Sequence, residues 1–280
     1  MEDFVPNLYL LTKCDMKCGF CYASKDLGEM GFNDVARVID DFKKSGVKRV
    51  NITGGEVMLY KAVKDVVKYA FNKGIKVTLF TSGSLLNRES IHEFNQYVDW
   101  WALSLDGDKE INRAMGRAPK HYERALTSLE CLRGIDAKVR LTTVVNEVNL
   151  FNLEEVAKIL NCKKNHPTLW RIKEMVPTRA GGELYKQQAV SSSSFKDVTS
   201  KIVVKYGGLM KIDAISLDMK SGDTMCVHPD GEATLTLDDN GMKIVSLGNM
   251  IDDSNLVIEN WYKKRSEKNS LIYSSMWEIE

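Results

Sequence analysis

Three cysteines fall within one short stretch, LLTKCDMKCGFCYAS (residues 10–24): Cys14, Cys18 and Cys21, spaced C-x3-C-x2-C. Thiolates at such spacing point to zinc or to an iron–sulfur cluster. A closed zinc site favours two C-x2-C pairs, or one such pair with a distant histidine pair. The chain offers neither, because His92, His121, His166 and His228 are isolated from one another and Cys131, Cys162 and Cys226 are scattered. Cys131 and Cys162 fall on or beside helical patterns and read as core or surface thiols. Thiolates are also the usual ligands of iron–sulfur clusters. A four-iron cluster held by three of them keeps one iron open, and an open position marks a catalytic metal site. The missing ligand is then a substrate or cofactor.

These residues need a rigid frame. The loop directly follows a first strand over Leu8–Thr12, at the strand end where α/β sheets carry their sites. KRVNIT, IKVTLF, WWALSL, KVRLTTVV and LWRIKEM predict further strands by period-two alternation or by continuous apolar runs. Helical stripes separate them: Val35, Val38, Ile39 and Phe42 after an N-cap at Asn33; Val63, Val66, Val67 and Ala70; Leu126, Leu129 and Leu132; Leu153, Val156, Ala157 and Leu160. Gly46, Gly74 and Gly134 stand where three of these helices stop. The alternation predicts an α/β fold of about six βα units with a parallel sheet, closed or partial as a TIM-like barrel.

After residues 176–195, a Gly- and Ser-containing linker, the pattern changes. A helix near Phe195–Tyr206 is followed by short β runs with Asp-Gly and Asn-Gly turn signals, a small α+β extension. The predicted domains are therefore a core over 1–182 and an extension over 183–280. WYKKRSEKN (261–269) reads as a solvated helix face. A net charge of +1 over 280 residues gives no electrostatic case for nucleic acid or an anionic membrane. The start shows no signal peptide, and no apolar run is long enough to span a bilayer. Clustered rather than paired cysteines then imply a reducing, cytoplasmic setting.

Several motifs in order carry a family resemblance. CDMKCGFCY resembles the cluster loop of the radical S-adenosylmethionine (radical SAM) superfamily, whose C-x3-C-x-aromatic-C pattern is met by Cys14, Cys18, Phe20 and Cys21. NITGGEVML is similar to the family's Gly-Gly-Glu segment, with Val57 where proline is common. By that resemblance Gly54 and Gly55 let backbone approach the methionine part of SAM, and Glu56 accepts from its ammonium group. TSGSLLN and LSLDG resemble the segments after the third and fourth strands, which puts Ser82, Ser104 and Asp106 near the SAM ribose or carboxylate. INRAMGRAPK places Arg117 to meet the carboxylate, a sound match for a guanidinium fork. VRLTTVVNEVN and IKEMVPTRAGGE resemble the family's fifth and sixth strands; by that resemblance Asn146 ends the fifth, and backbone at Met175 and Val176 meets adenine at the end of the sixth.

The resemblance implies one [4Fe–4S] cluster, SAM, and an electron donor such as flavodoxin or ferredoxin. Methionine and a 5′-deoxyadenosyl radical form, and the radical abstracts hydrogen from a small molecule, nucleotide or short peptide. The extension resembles a degenerate SPASM or twitch domain, as found in peptide maturases and in the molybdenum-cofactor cyclase. Its single Cys226 cannot hold an auxiliary cluster; it is an inert remnant or a hydrogen donor to a substrate radical. The chain begins almost at the first strand, which leaves no room before it for a separate peptide-recognition domain. A sharper alternative is a viperin-like nucleotide dehydratase, which needs cations on the cavity; Lys25, Arg171, Lys173 and Arg179 are candidates. A non-catalytic electron-transfer module is the remaining alternative, disfavoured because it has no use for Gly54-Gly55-Glu56.

Overall fold

The computed structural model describes residues 5–24, 26–176, 185–217, 224–237 and 243–264. Lys25, Arg179, the middle of the expected linker, the Asn-Gly turn at 240–241 and residues 265–269 of the basic segment lie outside them. The chain divides into two compact units that interleave along the sequence: Met1–Cys14, Ser24–Leu79 and Met219–Glu280 form one, Asp15–Ala23 and Phe80–Asp218 the other.

In the first unit β1 (Asn7–Tyr9), β2 (Arg49–Thr53) and β3 (Lys76–Phe80) run parallel, in register at Leu8↔Ile52 and Val50↔Val77. The helices α1 (Phe32–Lys44) and α2 (Val63–Asn72) connect them, and both bury the expected stripes. Leu8, Val50, Ile52, Val77 and Leu79 share one face of the strands and are all buried. Gly46 and Gly74 take φ values of 80° and 70° after α1 and α2, a left-handed turn that suits glycine. Asn33 is not the cap of α1: the helix starts one residue earlier, Gly31 is the N-cap, and no side chain caps it.

The first strand is shorter than expected because the chain changes partners. After Tyr9, Met30 N donates to Leu10 O (2.9 Å) and Thr12 N to Gly28 O (2.9 Å), with a bridge between Leu11 and Glu29. On the other side Gly55 N donates to Leu11 O (2.8 Å) and Glu56 N to Lys13 O (2.9 Å). Residues 10–13, which lead into Cys14, are thus clamped from both sides.

The expected extension has its hairpin, β9 (Glu232–Leu237) with β10 (Lys243–Asn249), followed by α8 (Ser254–Lys264). It does not stand apart as an appendage. Its first strand, β8 (Met225–Val227), pairs parallel with β1, so this unit's strand order is β10-β9-β8-β1-β2-β3. Lys263 pairs with Glu259 at 2.6 Å, as a solvated helix face would.

The second unit carries β4 (Trp100–Ser104), β5 (Val139–Val145), β6 (Leu169–Glu174) and a further parallel strand, β7 (Ile212–Ile215). The last, IDAI, is too short and too polar to stand out in the sequence. Its helices are α3 (Arg88–Asn95), α4 (Lys109–Ala114), α5 (His121–Arg133), α6 (Leu153–Leu160) and α7 (Ser192–Tyr206). The short helices α3 and α4 lack long apolar stripes but have strong starts: an Asn87–Ser90 capping box, and Asp108 accepting from Glu110 N and Ile111 N. Trp101 and Trp170 are fully buried, and Trp170 Nε1 donates to Thr143 Oγ1 at 2.9 Å.

Gly54 and Gly55 explain the clamp on residues 10–13. A Cβ on Gly54 would stand 2.8 Å from Leu11 O; one on Gly55 would collide with Lys13 O and reach 2.5 Å from Thr12 O. These obstacles are backbone and cannot rotate away. Gly55→Ala should therefore lower stability by about 2 kcal/mol, in the range of overpacked sites, read as a reduced urea midpoint. A midpoint equal to that of the unaltered chain would show that the approach is looser than described.

Candidate active site

The cysteine loop rests on glycine. Lys17 N donates to Gly116 O at 3.0 Å, Cys18 Sγ lies 3.9 Å from the same oxygen, and Ala118 N contacts Met16 Sδ at 3.1 Å. Gly116 has a φ of 87°, and a Cβ there would come within 2.5 Å of Lys17 O and 2.9 Å of Cys18 Cα. The residue before Arg117 must be glycine for this loop to lie where it does. Nothing in the sequence reading singled it out. Cys14 is exposed, Cys18 and Cys21 are half-buried, and none of the six cysteines forms a disulfide. Among the described residues no three His, Cys, Asp or Glu side chains converge as a metal site in the chain as folded.

Phe20 lies under the loop, buried against Met115 and Met175 with Cys18 beside them. The Arg117 guanidinium stands 5.5 Å above its ring. Arg117 Nε and Nη2 both lie 2.7 Å from Asp106 Oδ2, while Asp106 Oδ1 accepts from Val144 N at 2.9 Å. Asp106 has no solvent exposure and the Arg117 side chain only 10%. Burial, the largest single influence, opposes the arginine's charge, but the Asp106 carboxylate leads a set of opposing influences, with Cys18 and Cys21, that together outweigh it and hold the guanidinium protonated. Nη1 remains without a partner among the described residues. Both Asp106 oxygens thus accept hydrogen bonds within the chain.

A second arrangement in this unit went unseen in the sequence. Asn112 and His121, both buried, lie between the turns that follow β3 and β4. Asp106 N donates to Asn112 Oδ1 (3.1 Å), Asn112 Nδ2 meets His121 Nδ1 (2.7 Å), and His121 Nε2 meets Ser82 O (3.0 Å). Ser82 Oγ and Ser84 Oγ are 2.9 Å apart, and Ser84 Oγ donates to Asp15 Oδ2 at 2.9 Å. Only α5 carrying its histidine inward could have signalled this, and a lone histidine on a helix is a weak signal.

Other expected residues are placed less directly. Ser104 ends β4, half-buried and level with Thr142. Asn146 closes a turn: Oδ1 accepts from Val148 N (3.0 Å) and Nδ2 donates to Gln188 Oε1 (2.9 Å), so both amide atoms are engaged. Met175 N is bound to Val145 O at 3.0 Å, and Val176 is half-buried. Glu56, fully buried, caps the 3-10 turn Val57–Leu59 by accepting from Met58 N at 3.1 Å. Gly54 and Gly55 meet the Leu11–Lys13 backbone, which gives them a structural reason apart from any ligand.

Cys226 lies within β8. It pairs with Asn7 at the start of β1, and Asn7 Nδ2 donates to its sulfur at 3.5 Å. Asn51 Nδ2 in turn donates to Asn7 Oδ1 at 2.8 Å. Within its unit Cys226 thus belongs to a polar row with Asn7 and Asn51 across β8, β1 and β2, whereas Gly54–Glu56 follow the end of β2.

A profile described as Radical SAM superfamily matches residues 8–160. The chain belongs to the radical SAM superfamily. It is 25% identical over 210 residues to an AdoMet-dependent heme synthase of Nitratidesulfovibrio vulgaris, covering 71% of this chain and 56% of that one. It is 26% identical over 212 residues to an S-adenosylmethionine-dependent nucleotide dehydratase of Psychrobacter lutiphocae, covering 67% and 70%. Against a dehydratase of the same name from Lacinutrix mariniflava, 26% identical over 187 residues, the match covers 62% of this chain and only 38% of the relative. Several relatives are thus much longer than the part matched.

Among solved structures, Streptococcus suis SuiB bound to S-adenosylmethionine superposes with a TM-score of 0.74 at 16% identity, over all of this chain and 68% of SuiB. Histidine-tagged anSMEcpe with bound AdoMet gives 0.71 at 14% identity, over 99% of this chain and 84% of that one. These likenesses establish the fold as the partial TIM barrel of the radical SAM enzymes, as the strand–helix alternation predicted. The superfamily works with a [4Fe–4S] cluster and SAM. The donor set here suits that pair: three thiols on one loop outside any disulfide, and a buried guanidinium with one amino group to spare.

The histidine gives a test by pH. Burial, and then the Arg117 charge, push the His121 pKa down to about 3, against a weaker opposing effect from Ser82 O. Unfolded, it titrates near 6.5, so the unfolded chain binds the extra proton first and stability falls as pH drops from about 6.5 toward 3. Between pH 7.5 and 5 His121 should cost about 2 kcal/mol. Urea denaturation at the two pH values should show that difference shrinking in His121→Gln. An equal pH dependence in the variant would contradict a neutral, buried imidazole.

Proposed function

We propose that this chain is a radical SAM enzyme in which Cys14, Cys18 and Cys21 hold one [4Fe–4S] cluster and SAM completes the open iron. Held there, SAM accepting one electron from the cluster would supply methionine and a 5′-deoxyadenosyl radical able to abstract a substrate hydrogen. The observation that carries this reading is the pairing, in a member of the superfamily, of a glycine-seated thiol loop with the buried Arg117–Asp106 pair above Phe20. Arg117 presents Nη1 to the SAM carboxylate while Asp106 fixes its plane. Glu56 accepts from the SAM ammonium. Ser82 and Ser104 serve the ribose, and the Met175–Val176 backbone and Asn146 serve the adenine side. Phe20, buried with Met115 and Met175, anchors the loop from beneath. The electron comes from a small carrier of the flavodoxin or ferredoxin type, in a reducing cytoplasm. No helix of the described residues is long and apolar enough to cross a membrane. Residues 183–280 act as a degenerate SPASM/twitch-like extension without a cluster of its own, since Cys226 is its one cysteine.

Two substrate classes are in play. SuiB has been crystallised with its precursor peptide SuiA and anSMEcpe with a Cp18Cys peptide, which supports a peptide. One observation favours a nucleotide. The register of β5 and β6 puts Arg140, Arg171 and Lys173 on the same face, with Arg171 bound to Asp213 at 2.8 Å. Of the cations expected for a triphosphate, Arg171 and Lys173 are on that face, Arg140 joins them, and Lys25 and Arg179 lie outside the described residues.

After anaerobic reconstitution and dithionite reduction, the protein should cleave SAM to 5′-deoxyadenosine and methionine, and Cys18→Ala should abolish both. A loaded cluster that yields no 5′-deoxyadenosine would favour the electron-transfer module. A nucleoside triphosphate should stimulate cleavage in the unaltered chain and fail to do so in Lys173→Ala. Stimulation by peptides alone would overturn the nucleotide reading.

A further inference from the structure

The buried relay Asp106–Asn112–His121–Ser82 is polarised from end to end. A backbone N–H can only donate and a backbone C=O can only accept, and Asp106 N and Ser82 O are its two ends. Asp106 N–H therefore faces Asn112 Oδ1, which leaves Asn112 Nδ2 to donate to His121 Nδ1. Nδ1 must accept, so the imidazole proton is on Nε2 and donates to Ser82 O. A second proton on His121 would set N–H against N–H at 2.7 Å. The polarity continues beyond the histidine: Ser84 Oγ gives its proton to Asp15, so Ser82 Oγ donates to Ser84. One end of the relay is the residue that holds Arg117. The other is tied through Ser84 to a residue of the cysteine loop.

We infer that Asn112 and His121 are positioning residues, which set Arg117 and the Ser82–Ser84 turn in one register with the cysteine loop and so tune SAM binding. The inference rests on the radical SAM reading above. Neither residue is placed in contact with the cofactor. His121 holds the Ser82 carbonyl, and Asn112 holds the backbone of Asp106 and so the carboxylate that aims the guanidinium. The requirement is narrow: an acceptor and a donor about as far apart as the two imidazole nitrogens. Glutamine offers an amide oxygen and nitrogen at nearly that separation, whereas leucine offers neither at similar bulk.

The test compares His121→Gln, His121→Leu and Thr199→Val in the reconstituted holoenzyme. Thr199 is buried in the same unit and, among the described residues, its hydroxyl bonds only within its own helix, to Phe195 O at 2.7 Å and Lys196 O at 3.4 Å, so its variant reports generic loss of a buried hydrogen bond. Each protein is assayed for iron and sulfide content, for melting temperature, and for SAM affinity from the change that SAM causes in the EPR spectrum of the reduced cluster. His121→Leu should keep its cluster and lose SAM affinity at least tenfold. His121→Gln should recover most of it, and Thr199→Val should melt lower with SAM affinity unchanged. The inference is overturned if His121→Leu binds SAM as the unaltered chain does, if glutamine restores nothing, or if Thr199→Val weakens SAM equally. If the unaltered holoenzyme shows no spectral response to SAM, it is the radical SAM reading that fails.

Discussion

A carboxylate with no solvent exposure needs a counter-charge, and for Asp106 that counter-charge is Arg117. Removing either partner of such a pair costs about 3–5 kcal/mol, because the other is left charged and buried. The pair therefore constrains what surrounds it. Val144 N takes the carboxylate's other oxygen, Asn112 takes the Asp106 amide, and Phe20 lies beneath the guanidinium. Buried ion pairs are weak sources of stability, but they specify geometry. Here the specified geometry is one guanidinium with its plane fixed and one amino group uncommitted, as recognition of a carboxylate requires.

Close backbone passage is the second constraint, and it occurs in each unit. Gly116 lets residues 116–118 lie against Lys17 and Cys18, and Gly54 and Gly55 let their strand end lie against Leu11–Lys13. Both contacts act on the segment that carries the cysteines, one on its approach and one on its body. A loop of three thiols would otherwise have many conformations to lose on binding iron. Holding it by backbone contacts lowers that cost without using the thiols themselves.

The fold was legible wherever burial is periodic. The stripes of α1, α2 and α6 and the alternation of β5 are dictated by one buried face, so they read directly from residue type. Elements held by caps or by edge pairing were not legible: α3 and α4 depend on Asn87 and Asp108, and β7 is four residues with an aspartate inside. Nor could spacing tell that β8 would join β1 in parallel, since that pairing spans the chain. At the site, the thiols, Gly54–Glu56, Asp106 and Arg117 were visible because a motif in sequence order carries them. Asn112 and His121 were not, because a relay between loops has no sequence period. The place of Cys226 was not legible for a related reason: a lone thiol says nothing of which strand residue it faces.

The claim on which the account turns is that Arg117 binds SAM as a fork fixed by Asp106, and Arg117→Lys tests it most directly. Lysine keeps the charge beside Asp106 but has no plane to fix and no second pair of donors to offer. SAM titrated into the reduced, reconstituted variant should bind at least about tenfold more weakly than to the unaltered protein, the equivalent of about 1.4 kcal/mol, with iron content unchanged. SAM affinity equal to that of the unaltered protein, at full cluster occupancy, would contradict the account.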